Sequence, residues 1–245
     1  MNCSLTASLV GISQLISMHH WSIHSSLDVA AKAAANFIAE HIASSIEARG
    51  DCHMIVPGGN TPAGCFAALA EKPLAWDKLH CYPGDERCYE AGHAERNDVM
   101  IAEHLLSQNA SIHFHPMLAE LGAEDAAVAY RKTIQGIEQF DIAFLGMGED
   151  GHTASLFPAN PALSESASVV AVHNSPKPPA DRVSMSMATL QKARLRVVLA
   201  AGSSKAEIIA RIRAGESLPI NQVGDIHWFV DEAAVSKDCE SPSTV

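Results

Sequence analysis

No two of the six cysteines, at positions 3, 52, 65, 81, 88 and 239, form a C-x-x-C pair. Zinc sites and disulfide frameworks show tighter, paired spacing, so the thiols read as reduced and mostly buried, in a cytosolic protein. Basic residues are missing before Lys32. A secretory leader needs a basic start, so none is expected. Long apolar runs are missing too. Leu5 to Met18 is moderately apolar but too short to span a bilayer as a helix. Neither a G-x-S-x-G elbow nor a G-x-x-x-x-G-K-[ST] phosphate loop occurs. The first absence argues against a hydrolase serine on a strand-to-helix elbow, and the second leaves nucleotide use unsupported. Positive charge is scarce: 17 basic residues face 28 acidic ones, for a net −11. An acidic body repels nucleic acid and anionic lipid, so neither nucleic acid nor membrane is an expected partner. A phosphorylated substrate would be repelled as well, unless a locally basic, amide-rich pocket received it.

What is present is a chain of 245 residues, 47% of them apolar. That length suits one large domain or two tightly fused lobes. The reading adopted is a single domain at residues 18–245, with residues 1–17 as an extension of unassigned role. Strand and helix signals alternate. Trp21–His24 alternates apolar and polar residues, as a half-buried strand does. Leu27–Ala48 is Ala-rich with helical spacing, and Gly50 stops it. Cys52–Val56, Leu79–Tyr82, Phe140–Met147, Val169–Val172, Val183–Met187, Arg196–Ala201 and Ile226–Val230 read as strands. Pro62–Ala70, Asn97–Leu106, Ala123–Ile137 and Ser204–Ile212 read as helices. This order predicts an α/β fold: a doubly wound, largely parallel sheet with helices on both faces. Ligands of such sheets bind beyond the carboxyl ends of the strands, which is where chemistry is sought.

Four strand ends carry suitable residues. Val56-Pro-Gly-Gly-Asn-Thr-Pro62 offers close backbone approach at Gly58 and Gly59. Thr61 is the expected N-cap, and the helix start presents free N–H groups to an anion. A plain tight turn explains the same residues about equally well. Gly84-Asp-Glu-Arg87 sets two carboxylates beside an arginine, to orient a hydroxyl or water; a surface ion-pair cluster is the simpler alternative. Leu145-Gly-Met-Gly-Glu-Asp-Gly-His-Thr-Ala-Ser-Leu-Phe-Pro158 surrounds Asp150 and His152 with glycine. Histidine suits general-base work near neutral pH, and an aspartate two residues away could orient it. With 13 histidines in the chain, the glycine setting is what distinguishes this one. Leu199-Ala-Ala-Gly-Ser-Ser-Lys205 puts a lysine in the first turn of a helix. There it opposes the dipole unless an anion lies between them. His113-Phe-His115 offers two imidazoles without a third ligand and reads as structural.

With these residues in view the sequence resembles the 6-phosphogluconolactonase family, related to the glucosamine-6-phosphate deaminases, over roughly residues 21–231. The resemblance rests on five motifs in order: Pro57-Gly-Gly-Asn-Thr-Pro62, Asp85-Glu-Arg87 followed by Asn97, Gly146 to Pro158, Arg182-Val-Ser-Met-Ser186 and Gly202-Ser-Ser-Lys205. It implies hydrolysis of a phosphosugar lactone, with no metal or organic cofactor. It also implies roles. Gly58, Gly59, Asn60, Thr61, Arg182 and Lys205 would hold the phosphate. His152 would activate water, and Asp85, Arg87 and Asp150 would shape the catalytic centre. Asn60 and Arg96 stand where serine is usual in the family. The deaminases carry a glutamate a few residues after the Asp-Gly-His; here the run ends Ser155-Leu-Phe-Pro158 without an acid. The rival readings are a deaminase or isomerase of the same fold, and a non-enzymatic sugar-phosphate-binding module. Nothing in the sequence bears on oligomeric state.

Every motif lies beyond Trp21, so residues 1–17 are expected to be dispensable. A chain starting at Met18 should keep its kcat/KM and melting temperature, and loss of more than about half the activity would place the extension in the functional unit.

Overall fold

The computed structural model of the chain describes residues 18–235. The expectations for residues 1–17, and for Cys3 and Cys239, lie outside the described residues. The strands are β1 (His19–His24), β2 (Cys52–Val56), β3 (Leu79–Pro83), β4 (Asp85–Arg87), β5 (His113–Phe114), β6 (Ile142–Leu145), β7 (Val169–Val172), β8 (Arg182–Met185), β9 (Leu195–Ala200) and β10 (Ile226–Asp231). The helices are α1 (Leu27–Arg49), α2 (Ala63–Ala70), α3 (Asn97–Ile101), α4 (Ala123–Thr133), α5 (Met187–Gln191), α6 (Ala206–Arg213) and α7 (Glu232–Val235). Among the described residues no helix is long and apolar enough to cross a membrane.

Seven strands form one parallel sheet in the order β1-β10-β9-β6-β2-β3-β5. Its inner strands bury both faces, and alternate residues feed two separate cores. Ile142 and Phe144 of β6 join one with the alanine face of α1 and with α2, while Ala143 and Leu145 join the other with α4 and α6. This is the doubly wound arrangement that the apolar strands predict. A fully buried side chain such as Phe144 or Ile55 stabilises by about 1.5–3 kcal/mol. Helix α1 has clear local causes. Ser26 caps it, accepting from the Val29 N–H at 3.4 Å, Asp28 sits in the first turn and Arg49 in the last. Gly50, at φ 90°, ends it.

Chain order and sheet order disagree at two places: β1 lies at the edge beside β10, away from β2, and the step from β5 to β6 reverses direction. The chain runs outward from β2 through β3 to β5, then returns to place β6 on the other side of β2. The loops after β2 and β6 therefore part from each other, which opens a crevice between them.

Three strands expected in the main sheet or in loops form a second, antiparallel sheet, ordered β4-β8-β7. Gly84 is the junction. Its N–H bonds the Val56 carbonyl of the main sheet at 2.9 Å, and its carbonyl accepts from the Met185 N–H at 2.8 Å. Asp85 to Arg87 thus forms a paired strand, not the loop the sequence suggested. Helix α2 begins at Ala63, with Pro62 at the cap position and no side-chain cap, so Thr61 does not cap it.

His53, His80, His113 and His115 stack near the starts of β2, β3 and β5, with ring centroids 4.5–5.4 Å apart. His80 Nδ1 lies 3.1 Å from His115 Nε2, a pair that shares one proton. Among the described residues no group of histidine, cysteine or acid is arranged to hold a metal. Burial, then neighbouring imidazoles, hold His80 and His115 below the usual 6.5. A histidine with a depressed folded pKa binds its proton more readily in the unfolded chain. Its stabilisation is therefore complete above 6.5 and is lost as pH falls through the folded pKa. The melting temperature should drop between about pH 7.5 and pH 5, and less steeply in His80→Phe/His115→Phe than in wild type. Parallel curves would remove the cluster as the cause.

Candidate active site

A cleft of about 860 Å³ lies over the crevice between β2 and β6. It collects Gly58, Gly59, Asn60, Thr61, Asp85, Arg87, His152, Arg182 and Lys205, which is every predicted site residue except Asp150. Five basic residues line it (Arg87, Arg96, Lys177, Arg182 and Lys205) against two acids, Asp85 and Glu95. An anion that the acidic body repels as a whole finds positive potential here.

Asp150 stands behind His152. Its Oδ1 lies 2.5 Å from His152 Nδ1 and also accepts the His152 backbone N–H at 3.2 Å. Burial raises the Asp150 pKa, but the imidazole and these two donors outweigh it and leave the carboxyl below its ordinary value. An ionised carboxylate only accepts, so Nδ1 carries the proton and Nε2 is a free base. Burial also lowers the His152 pKa, against the opposing pull of Asp150 and Asp85. The ring therefore stays neutral at neutral pH. Phe157 packs on it, with centroids 4.4 Å apart.

Glycine is required beneath this pair. A Cβ at Gly148 would sit 2.1 Å from His152 Cε1 and Nδ1 and 2.7 Å from Asp150 Oδ1. The loop is tied to itself by the Gly148 N–H to the His152 carbonyl at 2.9 Å and by Thr153 Oγ1 to the Gly146 carbonyl at 3.0 Å. Gly146 to Gly151 has the G-x-G-x-x-G spacing of dinucleotide-binding loops, but no helix opens on it. Without that helix the pyrophosphate lacks its N-terminal dipole.

The two carboxylates of Asp85-Glu86 do not work as a pair. A strand alternates its side chains, so Asp85 and Arg87 face the cleft and Glu86 points away. Asp85 Oδ2 accepts from Ser155 Oγ at 2.5 Å, and its Oδ1 and carbonyl accept from Asn97 Nδ2 at 3.2 and 2.7 Å. Glu86 is fully buried and accepts backbone N–H groups of Arg87, Asn97 and Asp98, each at 2.8 Å. Burial pushes its pKa up to about 7, and those three bonds counter only part of the effect. Glu86 thereby holds the start of α3, and with it Asn97, against β4. The Asn97 side chain in turn presses on the glycine loop, where a Cβ at Gly58 would lie 1.8 Å from its Oδ1. Sequence reasoning missed these supports, for which the only signal was their motif position.

Arg87 Nη1 donates to the Glu95 carbonyl at 2.8 Å, while its buried Nε has no partner among the described residues. Lys205 Nζ reaches across to the Met147 carbonyl at 2.9 Å, from the turn before α6. Arg182 spends Nε and Nη2 on carbonyls of Lys177, Pro178 and Pro179, at 3.0–3.4 Å. Arg96 borders the cleft but has its donors spent on protein groups. It is buried, bonded to Asp98, Glu120 and the carbonyls of Tyr89 and Met117.

The family model for glucosamine-6-phosphate isomerases/6-phosphogluconolactonase matches residues 25–232. The chain belongs to this family. A 6-phosphogluconolactonase of Bos taurus is 39% identical over 73% of this chain and 72% of its own length. One of Synechocystis sp. is 33% identical over 80% of this chain and 89% of its own. The crystal structure of a Thermotoga maritima 6-phosphogluconolactonase superposes with a TM-score of 0.79 at 26% identity, covering 87% of this chain and 99% of the other.

Gly148→Ala should keep its melting temperature yet lose roughly a hundredfold or more in turnover, because the new methyl displaces the imidazole. Gly146→Ala is the control, since its Cβ meets Pro57 at an ordinary 3.9 Å. Equal activity in both variants would show that the Asp150–His152 geometry is not what turnover depends on.

Proposed function

We propose that the chain hydrolyses 6-phospho-D-glucono-1,5-lactone to 6-phospho-D-gluconate, the lactonase step of the oxidative pentose phosphate pathway. The observation that carries the reading is His152, neutral and oriented by Asp150, in a cleft that also holds Lys205, Arg182 and the glycine loop. Relatives named 6-phosphogluconolactonase at 33% and 39% identity support it. In this reading residues 18–245 act as one domain, and residues 1–17 take no part in catalysis. Free thiols at Cys52, Cys65, Cys81 and Cys88 fit a reducing cytosolic setting.

Gly58, Gly59, Asn60, Thr61, Arg182 and Lys205 hold the phosphate and so place C1 of the sugar near His152. Nε2 takes a proton from water, which attacks the lactone carbonyl. The carbonyl oxygen gains negative charge and needs a donor. Arg87, with its unpartnered Nε, is the candidate. Collapse breaks the bond to the ring oxygen, which leaves with the proton that His152 returns. Asp85 keeps the floor of the cleft in register through Ser155 and Asn97. Position 155 also speaks against the aminosugar chemistry. It carries a buried serine spent on Asp85, and the run to Pro158 supplies no carboxylate for ring opening and proton relay.

His152→Ala should lower kcat on freshly generated lactone by about 10²–10⁴-fold, and asparagine at this position should not restore it. The wild-type rate should fall on the acidic side below 6.5, as Nε2 takes up a proton and stops being a base. The alanine variant should lack that limb. Glucosamine 6-phosphate should release no ammonia. A folded His152→Ala protein within about tenfold of wild type, after subtraction of spontaneous hydrolysis, would end the general-base assignment.

A further inference from the structure

The loop before β8 forms part of the cleft wall and carries a cation that none of the motifs included. Ser175 to Asp181 folds back on itself, with the Ser175 N–H on the Ala180 carbonyl at 2.9 Å and Ser175 Oγ on the Lys177 carbonyl at 3.0 Å. Arg182 clamps the same stretch. Its Nη2 bonds the carbonyls of Lys177 and Pro178 at 3.0 and 3.2 Å, and its Nε bonds that of Pro179 at 3.4 Å. The Arg182 Cζ lies 5.6 Å from the centroid of the Phe157 ring, which packs on His152. The loop is thus tied to the catalytic end of the cleft through one buried arginine.

The backbone of Lys177 is fixed by these bonds, yet its side chain is exposed, lines the cleft and makes no ion pair among the described residues. Lys205 lines the same cleft. Burial lowers the Lys205 pKa first; Glu149 opposes that, and the charge of Lys177 adds to the lowering. Two like charges turned toward one space repel unless an anion separates them. A phosphate monoester, at about −1.5 to −2, is an anion of the required strength.

We propose that Lys177 is a specificity-determining contact to the substrate phosphate, presented at the cleft mouth by a loop that Arg182 positions. Arg182 then has two tasks, with Nη1 available to the anion and the other nitrogens holding the loop. This inference rests on the lactonase reading.

The test compares wild type with Lys177→Gln, Lys177→Arg and the remote exposed control Lys132→Ala. Each is assayed on fresh 6-phosphogluconolactone and on unphosphorylated gluconolactone, with Kd for 6-phosphogluconate measured by calorimetry. Lys177→Gln should raise KM for the phosphorylated lactone about three- to tenfold, with the loss confined to KM, as suits a partly solvated charge contact. Its Kd for 6-phosphogluconate should weaken by the same factor, and its kcat/KM should respond less to salt. Lys177→Arg should recover most of the affinity, and Lys132→Ala should match wild type. A KM for Lys177→Gln within about twofold of wild type, or proportional losses on both lactones, would overturn the proposal. If wild type turned over neither lactone, the functional reading would fail instead. The calorimetric arm would still decide Lys177, and an unchanged Kd would sink it.

Discussion

The site depends on the reversal of strand order between β2 and β6. Parallel strands deliver all their following loops to one edge of the sheet, but only where neighbouring connections depart in opposite directions does that edge open. Here the loop carrying Gly58 to Thr61 leaves toward α2, and the loop carrying Asp150 and His152 leaves toward the second sheet. Everything else in the cleft is arranged around that gap. Gly84 hands the chain from β3 to β4 so that Asp85 and Arg87 close one side, and β8 follows antiparallel to bring Arg182 opposite Arg87.

Electrostatics and packing act in the same direction. The body is acidic, while the cleft collects Arg87, Lys177, Arg182 and Lys205. Burial lowers the pKa of His152, Arg182 and Lys205 alike. For the arginine this is without consequence, because a guanidinium stays charged. For the histidine it matters, because it keeps the ring a base. Asp150 works against burial and keeps that base from becoming too weak, while it also fixes which nitrogen is free.

Legibility in the sequence followed the kind of constraint involved. Strands such as Cys52–Val56 were readable to the residue, because a short apolar run bounded by glycine has few other uses. The glycine density around His152 set it apart from the other histidines, and the structure supplies the cause in the space that Gly148 leaves for two side chains. Glu86 was legible only as one half of a carboxylate pair. Its strand turns it away from the cleft, onto three backbone N–H groups, and a strand of three residues has too little pattern to reveal which side it buries. Lys177 sat unnoticed in a proline-rich loop, since nothing local says that a loop residue will face a distant strand end.

Most of the strands and helices, the doubly wound class, and the residue types at the strand ends could be read from the chain alone. Those follow from local hydrophobic period, glycine and caps, all of which act over a few neighbouring residues. Long-range packing sets the rest: β4, β7 and β8 leave the main sheet, Arg96 is buried in a hydrogen-bond set, and Arg182 shares its donors with a loop. Those outcomes turn on contacts between segments far apart in the chain: Glu120 with Arg96, Met185 with Gly84 and Ser155 with Asp85. Such contacts form only where packing of the whole domain brings the partners within hydrogen-bond reach, a distance that no local pattern encodes.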